Sequence, residues 1–416
     1  MVLTLVEQIT NYATDLRYEN LPPEVVLTAK RMIVDSIGCA LGGYDSAPEK
    51  IARDLASMST SKQPATLMVS GQQTSPDLAT FANGVMIRFL DYNDGYTSKG
   101  ESGHPSDSIA AVLTAAEINK RSGKDIITAT VLAYEMFCRI CDEADLKPLG
   151  YDHVTVGGMA STAAAAWLFG FKGKQFEHCM QLGIAPNNAL YQTRIGNVSM
   201  WKGCAYANAS RNAMFAAMLA QRGMTGPSPI FEGVGGYFKA VTRKTFALNT
   251  LGGVNGAPFK IKECLIKRFP LGQYSQTVCE AALQLREKIT SPDDVAEIFI
   301  ETVTTACVLM ADTPEKWEPP NRETADHGMP YTVAVALIHG DVQEEHFDDA
   351  HVFDPAIRAL TRKIKIKPSA EADKHMPHAM RVFFKLVTKS GQTFETVVDH
   401  HKGHWKNPMR SEEHTS

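Results

Sequence analysis

The sequence has no uninterrupted apolar stretch of the roughly 18 residues that a bilayer-spanning helix needs, and it has no strong excess of either charge. Its 416 residues include 42 Lys and Arg against 46 Asp and Glu, a formal net charge of -4. A balanced chain has no global basic field that would hold nucleic acid or an anionic membrane. We therefore expect neither partner, although a local basic pocket for a small anion is compatible with this charge.

Signatures of several common enzyme classes are also missing. The sequence contains no P-loop, no G-x-G-x-x-G, no H-E-x-x-H and no G-x-S-x-G. The N-terminal segment has acidic Glu7 early and lacks the apolar region of a signal peptide. We expect a cytoplasmic protein, and nothing in these motifs indicates a nucleotide or a zinc ion as a cofactor.

The eight cysteines do not resemble a disulfide framework. Cys138 and Cys141 form the one C-x-x-C, but they lie in an apolar, helix-like stretch, and no second pair at ligand spacing follows. Thiols in such surroundings pack as small hydrophobic side chains. The sequence therefore predicts neither a metal nor an organic cofactor.

Helical patterns dominate the first two-thirds of the chain, and the pattern changes near residue 266. Earlier, Pro22 and Pro23 precede apolar residues at helical spacing that end at Gly42. Later, β-branched and aromatic runs predict strands, two of them joined as a hairpin about the turn KSGQ. The predicted fold is mainly α with an α+β second domain: a large all-helical bundle domain at 1–266, to which 398–416 return, and a smaller α+β lid domain at 267–397.

The last residues are unusual. RSEEHTS looks like the translation of a sequencing-adapter sequence, and no closing helix precedes it. We expect the natural protein to continue past about Met409, with a genuine polar tail as the alternative.

Polar residues gather at two predicted helix starts. Asp91 follows one helix, and His104 and Ser106 begin the next, where N–H groups and the helix dipole suit a carboxylate. His104 is suited to anion binding or proton transfer, and the alternative is that Ser106 merely caps the helix beside a loop histidine. His153 and Thr155 stand at a second such start, so that two histidines point to a shared pocket.

Basic residues supply the other half of a possible anion site. Lys202 lies among apolar residues, where a lysine must pair with an anion or bear a desolvation cost, unless it snorkels to the surface. Lys267 and Arg268 form a further basic pair near the predicted domain boundary. Cations, histidines and acids together suit elimination of water from a polycarboxylate or its decarboxylation.

Several long stretches resemble the MmgE/PrpD family. They occur in order between about residues 5 and 409 and include FANGVMIRFLDYND, GHPSDSIAAVLTAAE, GYDHVT and PEKWEPPNRETADHGMPYTVAVAL. The resemblance implies a cofactor-independent lyase, a hydro-lyase that dehydrates a citrate-like polycarboxylate such as 2-methylcitrate, in a homodimer. The alternatives are a decarboxylase or epimerase of a related acid such as cis-aconitate, and a catalytically silent polycarboxylate-binding relative.

The resemblance also implies residue roles. His104 and His153 would share proton transfer, with Asp91 orienting one of them. The expected substrate-binding residues are Lys202, Lys267, Arg268, Thr155 and Ser106. Tyr274 stands where dehydratase-like members often have histidine, and no tyrosine lies near Asp312 and Thr313, where the decarboxylases use one. Glu323, Asp326 and His327 of RETADH are interpreted as a salt-bridge network, with a contact to a partner chain or a position in the pocket as the alternatives.

Overall fold

The computed structural model describes residues 3–410, and residues 411–416, which hold most of the adapter-like tail, lie outside that range. The chain divides into two compact units. The first unit comprises residues up to 89, 93–193 and 203–264, and the second comprises 90–92, 194–202 and the chain from 265 onward. Residues 398–410 group with the second unit, whereas the sequence analysis expected them to return to the helical domain. The domain boundaries themselves stay predictions.

The first unit is built mainly from helices. They are α1 (Leu5–Asp15), α2 (Pro23–Gly43), α3 (Ala47–Ser57), α4 (Pro76–Phe89), α5 (Ile109–Ile118), α6 (Gly123–Glu143), α7 (Val154–Leu168), α8 (Gly173–Ile184) and α9 (Trp201–Gln221), whose first two residues group with the second unit. Pro23 stands at the first position of α2, which confirms the predicted start of that helix.

Small residues allow the central helices of this unit to pack closely. α7 is almost entirely buried, and a Cβ at Gly157 would overlap the ring of Tyr206 on α9. A Cβ at Gly183 on α8 would overlap Thr162 of α7 in the same way. These positions explain why stretches rich in Ala, Gly and Ser form the middle of the helical unit.

The first unit also contains a short antiparallel pair that the all-helical prediction lacks. β1 (Ala65–Thr66) pairs with β2 (Gln73–Thr74), and Gly71 with its φ of 70° lies in the turn between them. A pair of two-residue strands is too short to leave an alternating pattern in the sequence.

The second unit is built around a four-stranded mixed sheet. Its strands are β3 (Val295–Thr302), β4 (Ile364–Pro368), β5 (Val382–Thr388) and β6 (Thr393–Val398), in the order β4-β3-β5-β6. β4 runs parallel to β3, and the other pairs are antiparallel. The hairpin of β5 and β6 confirms the prediction. The sequence analysis did not predict β4, because the helical pattern PAIRALTRKI runs into its first residue, although Ile364 and Ile366 alternate with lysines as is common on an edge strand.

Helices accompany this sheet and complete a mainly helical protein with a smaller α+β part. They are α10 (Gln276–Arg286), α11 (Thr304–Met310), α12 (Pro314–Trp317), α13 (Arg322–Ala325), α14 (Met329–His339), α15 (Asp349–Val352), α16 (Pro355–Thr361) and α17 (Ala370–Asp373). The buried core of this unit joins α10 and α14 to Ile298, Ile300 and Phe384 of the sheet. Within residues 3–410, no helix is both long and apolar enough to cross a membrane.

Candidate functional site

The first unit contains a histidine cluster, defined here as His104, His153, Asp94 and Asp152. The loop that follows α4 folds back on itself through main-chain hydrogen bonds between Tyr96 and Gly103, of 2.8 and 3.1 Å. This places His104 at the end of the loop, and His153 directly precedes α7. The two rings lie 5.6 Å apart between centroids at an angle of 72°. The structure thus brings together the two histidines that the sequence singled out.

Gly103 allows the rings to come this close. A Cβ at this position would overlap the imidazole of His153, so any other residue would force the ring to move. Phe137 and Tyr206 flank the same ring, each with its centroid 6.4 Å away. The aromatic neighbours therefore restrict His153 to one orientation.

The hydrogen bonds of the cluster fix the tautomer of each histidine. His104 Nδ1 lies 2.6 Å from the main-chain oxygen of Asp94, and a carbonyl oxygen only accepts, so Nδ1 carries the proton. His153 Nδ1 lies 2.7 Å from the Asp152 carboxylate, which also accepts from the Val154 N–H at 3.2 Å. In both neutral rings Nε2 is then the basic nitrogen. All the side chains of this cluster are buried.

The helix start next to His104 differs from the expected anion site. It is a 3₁₀ turn at Pro105–Ser108, and the Ser106 N–H donates to the Asp94 carboxylate at 3.1 Å. Asn93 donates to the Ser106 hydroxyl at 2.8 Å and to Asp107 at 2.7 Å. The polar groups that were expected to hold a substrate carboxylate thus bind the protein's own side chains. Substrate binding by Ser106 stays a prediction.

Thr155 is also engaged within the protein. Its hydroxyl accepts from the main-chain N–H of Ala189 at 3.0 Å and lies 3.4 Å from the main-chain oxygen of the same residue. This pairing ties the first turn of α7 to the segment that follows α8. A substrate contact by Thr155 stays a prediction.

The second unit contains a lysine cluster, defined here as Asp91, Lys202, Lys267, Asp326 and His327. The five come from four places in the chain: Asp91 from the turn after α4, Lys202 from the first turn of α9, Lys267 from the segment that follows residue 264, and the last two residues from the link between α13 and α14. Asp91 has a φ of 51°, a conformation that is unusual for a residue other than glycine. Such strain persists only where surrounding contacts hold it, and it is common at functional sites.

Carboxylates bind both lysines of this cluster. Lys202 Nζ donates to the two oxygens of Asp326 at 2.8 and 2.6 Å. Lys267 Nζ donates to the main-chain oxygen of Asp91 at 2.7 Å and makes a short contact with its carboxylate. Lys202 Nζ also lies 3.7 Å from Asp91. The desolvation argument for Lys202 is therefore confirmed, because the buried ammonium pairs with an anion.

His327 connects the two aspartates. Its Nδ1 makes a short contact with Asp326, and its Nε2 lies 3.2 Å from Asp91. Burial, followed by the nearby Lys202 ammonium, lowers the pKa of His327 to about 4, so that the ring is neutral near pH 7. Burial alone would raise the pKa of Asp326. Lys202 and His327 outweigh this effect and lower the pKa below its ordinary value, so the carboxyl group stays ionised. The salt-bridge interpretation of RETADH agrees with these contacts.

Arg268 lies outside this cluster, although its neighbour Lys267 belongs to it. The Arg268 side chain is 40% exposed and pairs with Glu280 at 2.8 Å. Adjacent residues of an extended segment point in opposite directions, so only one of the two basic side chains is buried. Substrate binding by Arg268 stays a prediction that this geometry does not favour.

The sequence reasoning missed two residues, Asp152 and Lys316, and one pairing, that of Lys202 with Asp326. Asp152 directly precedes His153 and could have been found from that adjacency. The pairing of Lys202 with Asp326 joins positions 124 apart, which no local pattern reveals. Lys316, beside Trp317, is buried to 1% exposure, and burial lowers its pKa to about 8. Lys316 could have been found from its position in PEKWEPPNRETADHGMPYTVAVAL, one of the stretches that resemble the family.

Two groups of side chains have metal-ligand geometry among the described residues. Asp91, Asp326 and His327 have ligand atoms within 4.8 Å of one another, but their oxygens already accept from lysine ammonium groups. His339 and His346 form the second group with His351. His346 Nδ1 accepts from a main-chain N–H at 2.9 Å, so its Nε2 carries the proton in the neutral ring. The prediction that no metal is needed stays a prediction.

Comparisons with known proteins agree in both parts of the sequence. Residues 7–249 match the MmgE/PrpD N-terminal domain, and residues 269–416 match the MmgE/PrpD C-terminal domain. The first match falls mainly in the helical unit of this structure, and the second falls in its smaller α+β unit. The chain belongs to the MmgE/PrpD family, which confirms the resemblance drawn from its sequence.

Similar proteins cover most of the chain. It is 27% identical over 431 residues to the 2-methylcitrate dehydratase of Escherichia coli (strain K12), which covers 95% of this chain and 84% of that protein. The 2-methylcitrate dehydratase of Cupriavidus necator is 28% identical over 428 residues, or 95% of this chain and 85% of that protein. The alkylcitrate dehydratase phiI of a fungal species is 27% identical over 414 residues, or 91% and 80%.

Proposed function

We propose that this protein is a cofactor-independent hydro-lyase that removes water from a citrate-like polycarboxylate, with 2-methylcitrate as the first substrate to test. The observation that carries the proposal is the pair of buried histidines, each held with its proton on Nδ1 and its Nε2 as the basic nitrogen. Dehydration needs one group to remove a proton next to a carboxylate and another to protonate the departing hydroxyl. The names of the similar dehydratases support the same reaction class.

The two histidines differ in their partners, and this suggests different tasks. His104 bonds to a neutral carbonyl, whereas His153 bonds to the Asp152 carboxylate, which stabilises a protonated imidazolium. We expect His104 to transfer the proton in the rate-limiting step and His153 to share proton transfer as its partner. Lys202 and Lys267 are proposed to bind substrate carboxylates. The earlier suggestion that Asp91 orients a histidine stays a prediction, because Asp152 and the Asp94 carbonyl take that role in the histidine cluster.

A proton NMR screen with purified protein in D₂O tests the proposal. A panel of 2-methylcitrate, citrate, cis-aconitate and tartrate is incubated with wild-type protein and with the His104→Ala/His153→Ala double variant. A new vinylic or vinylic-methyl signal that forms from 2-methylcitrate or citrate and requires the wild-type histidines supports dehydration. Release of CO₂ indicates a decarboxylase, deuterium uptake without net conversion indicates an epimerase, and binding without any change indicates a silent relative. Any of the last three outcomes in place of dehydration contradicts the proposal.

We further propose a homodimer that uses an apolar face of α2. Leu27, Val34 and Leu41 are each seven residues apart, so they lie on one face of the helix, and they are 50%, 63% and 60% exposed. Exposed apolar stripes of this kind commonly mark protein–protein interfaces. The cytoplasmic location and the role of the α+β part as a lid stay predictions.

A further inference from the structure

Lys316 is a buried lysine whose ammonium group makes no hydrogen bond to any residue that the structure describes. It lies in the short helix α12, its side chain is 1% exposed, and its Nζ atom has no partner among the described residues. Its main-chain N–H donates to Thr313 at 3.0 Å, so the backbone of this turn is fixed. An ammonium group that is removed from water and not paired with an anion carries a large desolvation cost.

The surroundings of Lys316 place it beside the lysine cluster. A Cβ at Gly328 would lie 2.6 Å from the Lys316 main-chain oxygen, so α12 packs directly against the residue that follows His327. Asp326 and Lys202 act on the Lys316 ammonium electrostatically, the first attracting and the second repelling it. Lys316 is thus part of the same charged region of the second unit.

The three lysines of this region differ in how their donors are used. Lys202 donates to both oxygens of Asp326, and Lys267 donates to the carboxylate and main-chain oxygen of Asp91. The Lys316 ammonium donates to no protein atom that the structure describes. A substrate anion would have to displace a protein carboxylate from the first two lysines, whereas the donors of the third are not used by any described protein atom.

We propose that Lys316 binds a carboxylate of the polycarboxylate substrate. The identity of that anion rests on the proposed function, since a citrate-like acid supplies several carboxylates. The ammonium and the substrate oxygen would form a charge-assisted hydrogen bond in a site from which water is excluded, where such a bond is strongest. This contact is made in the bound ground state, so it contributes to affinity more than to the rate of the chemical step.

The test compares Lys316→Met, which keeps the length of the side chain and removes the charge, with Lys374→Met as a matched control. Lys374 is 70% exposed in the same unit and pairs with Glu371. Binding of tricarballylate, which has three carboxylates and no hydroxyl to eliminate, is measured by isothermal titration calorimetry, and turnover of 2-methylcitrate is measured alongside. We expect the tricarballylate Kd and the KM of Lys316→Met to rise about 10- to 100-fold, with a smaller change in kcat. Lys374→Met should match the wild type.

A purely structural lysine would behave differently in thermal melts. Because Met needs no partner, Lys316→Met should melt at a higher temperature than wild type without ligand and gain less from added tricarballylate. If Lys316→Met does not fold, NMR of wild-type protein with ¹³C at lysine Cε decides, with assignment by Lys316→Arg. The contact is supported if the Lys316 signal titrates with a midpoint near pH 8 that moves to higher pH when tricarballylate is added. A midpoint that tricarballylate does not move overturns it.

The outcomes separate this inference from the proposed function. If the wild type dehydrates 2-methylcitrate and Lys316→Met has the same Kd and KM, the proposed role of Lys316 is overturned and the proposed function stands. If the wild type dehydrates none of the acids but Lys316→Met binds tricarballylate more weakly than wild type, the carboxylate contact is supported and the proposed dehydratase function is overturned. A wild type that neither binds tricarballylate nor dehydrates any acid overturns both.

Discussion

Replacing Asp152 with asparagine tests the histidine cluster most directly. The Asp152 carboxylate is 1% exposed and accepts from His153 Nδ1 at 2.7 Å and from the Val154 N–H at 3.2 Å, both through the same oxygen. An asparagine side-chain oxygen can occupy that position and keep both hydrogen bonds, so the geometry is retained while the charge is lost. The substitution therefore isolates the electrostatic contribution of Asp152 to His153.

The size of the effect follows from the two kinds of hydrogen bond. A bond to a charged group is worth about 1.5–3 kcal/mol and a neutral one about 0.5–1.5 kcal/mol. Asp152→Asn thus removes roughly 1–2 kcal/mol from any step in which His153 becomes an imidazolium. Since about 1.4 kcal/mol is a factor of ten in rate, kcat should fall about 5- to 30-fold. It falls further if the asparagine amide group turns to donate to Nδ1 and moves the proton to Nε2.

The assay is steady-state dehydration of 2-methylcitrate, followed by the ultraviolet absorbance of the unsaturated product. Asp145→Asn is the matched control, because Asp145 is an exposed aspartate in the same unit. Melting curves should be similar for Asp152→Asn and wild type, and the Kd for tricarballylate should change little. If Asp152→Asn keeps kcat within about threefold of wild type while it binds and melts normally, His153 does not gain charge in the rate-limiting step.

Four further expectations concern other parts of the molecule. His104→Ala should lower kcat by on the order of 10²–10⁴-fold with little change in KM, and Lys202→Ala should chiefly raise KM; near-normal turnover of His104→Ala, with turnover abolished in His153→Ala, would show that the principal proton-transfer residue was assigned wrongly. Strong chelators should leave activity unchanged, and a loss that iron or zinc restores would contradict metal independence. Light scattering should give twice 45.5 kDa, and Val34→Glu should halve that mass; a wild-type mass of 45.5 kDa at micromolar concentration would refute the dimer. His401 is fully buried, and burial lowers its pKa from the ordinary 6.5 to about 4, so between pH 6.5 and 4 only the unfolded chain binds the proton and the free energy of unfolding should decrease by roughly 3 kcal/mol as the pH is lowered. Urea unfolding at both ends of that range should show that His401→Gln lacks this part of the decrease. An equal decrease in both proteins would count against the prediction.

Local signals in the sequence accounted for much of the fold. The proline start of α2 and the turn between β5 and β6 act through residues that are neighbours in the chain, so they can be read directly. β4 was missed because only two residues separate it from α16, and its first residue continues the helical pattern before it. Its partner β3 lies more than sixty residues away, and parallel pairing over that distance leaves no local signature.

The sequence singled out several residues of the two clusters but not their pairings. Desolvation requires that a lysine among apolar residues find an anion, and this argument holds for Lys202 whatever the anion is. Which anion it finds depends on tertiary structure, because Asp326 lies 124 positions away. The same limit explains Arg268, whose side chain is exposed while that of Lys267 is buried. Residue type predicted the need for a partner, and only the fold determined the partner.

If the lysine cluster binds the substrate as proposed, its charges predict that the substrate stabilises the folded protein. With Lys316 included, the cluster has three buried ammonium groups against the two carboxylates of Asp91 and Asp326, and His327 is neutral near pH 7. Counted over these six residues alone, three positive charges less two negative ones leave one positive charge in excess, and burial weakens its screening by water. An anionic ligand removes that excess, so binding and folding are linked through the same charge. A neutral ester of the same acid would lack this contribution, and for that reason the site should discriminate against esterified substrates even where they fit.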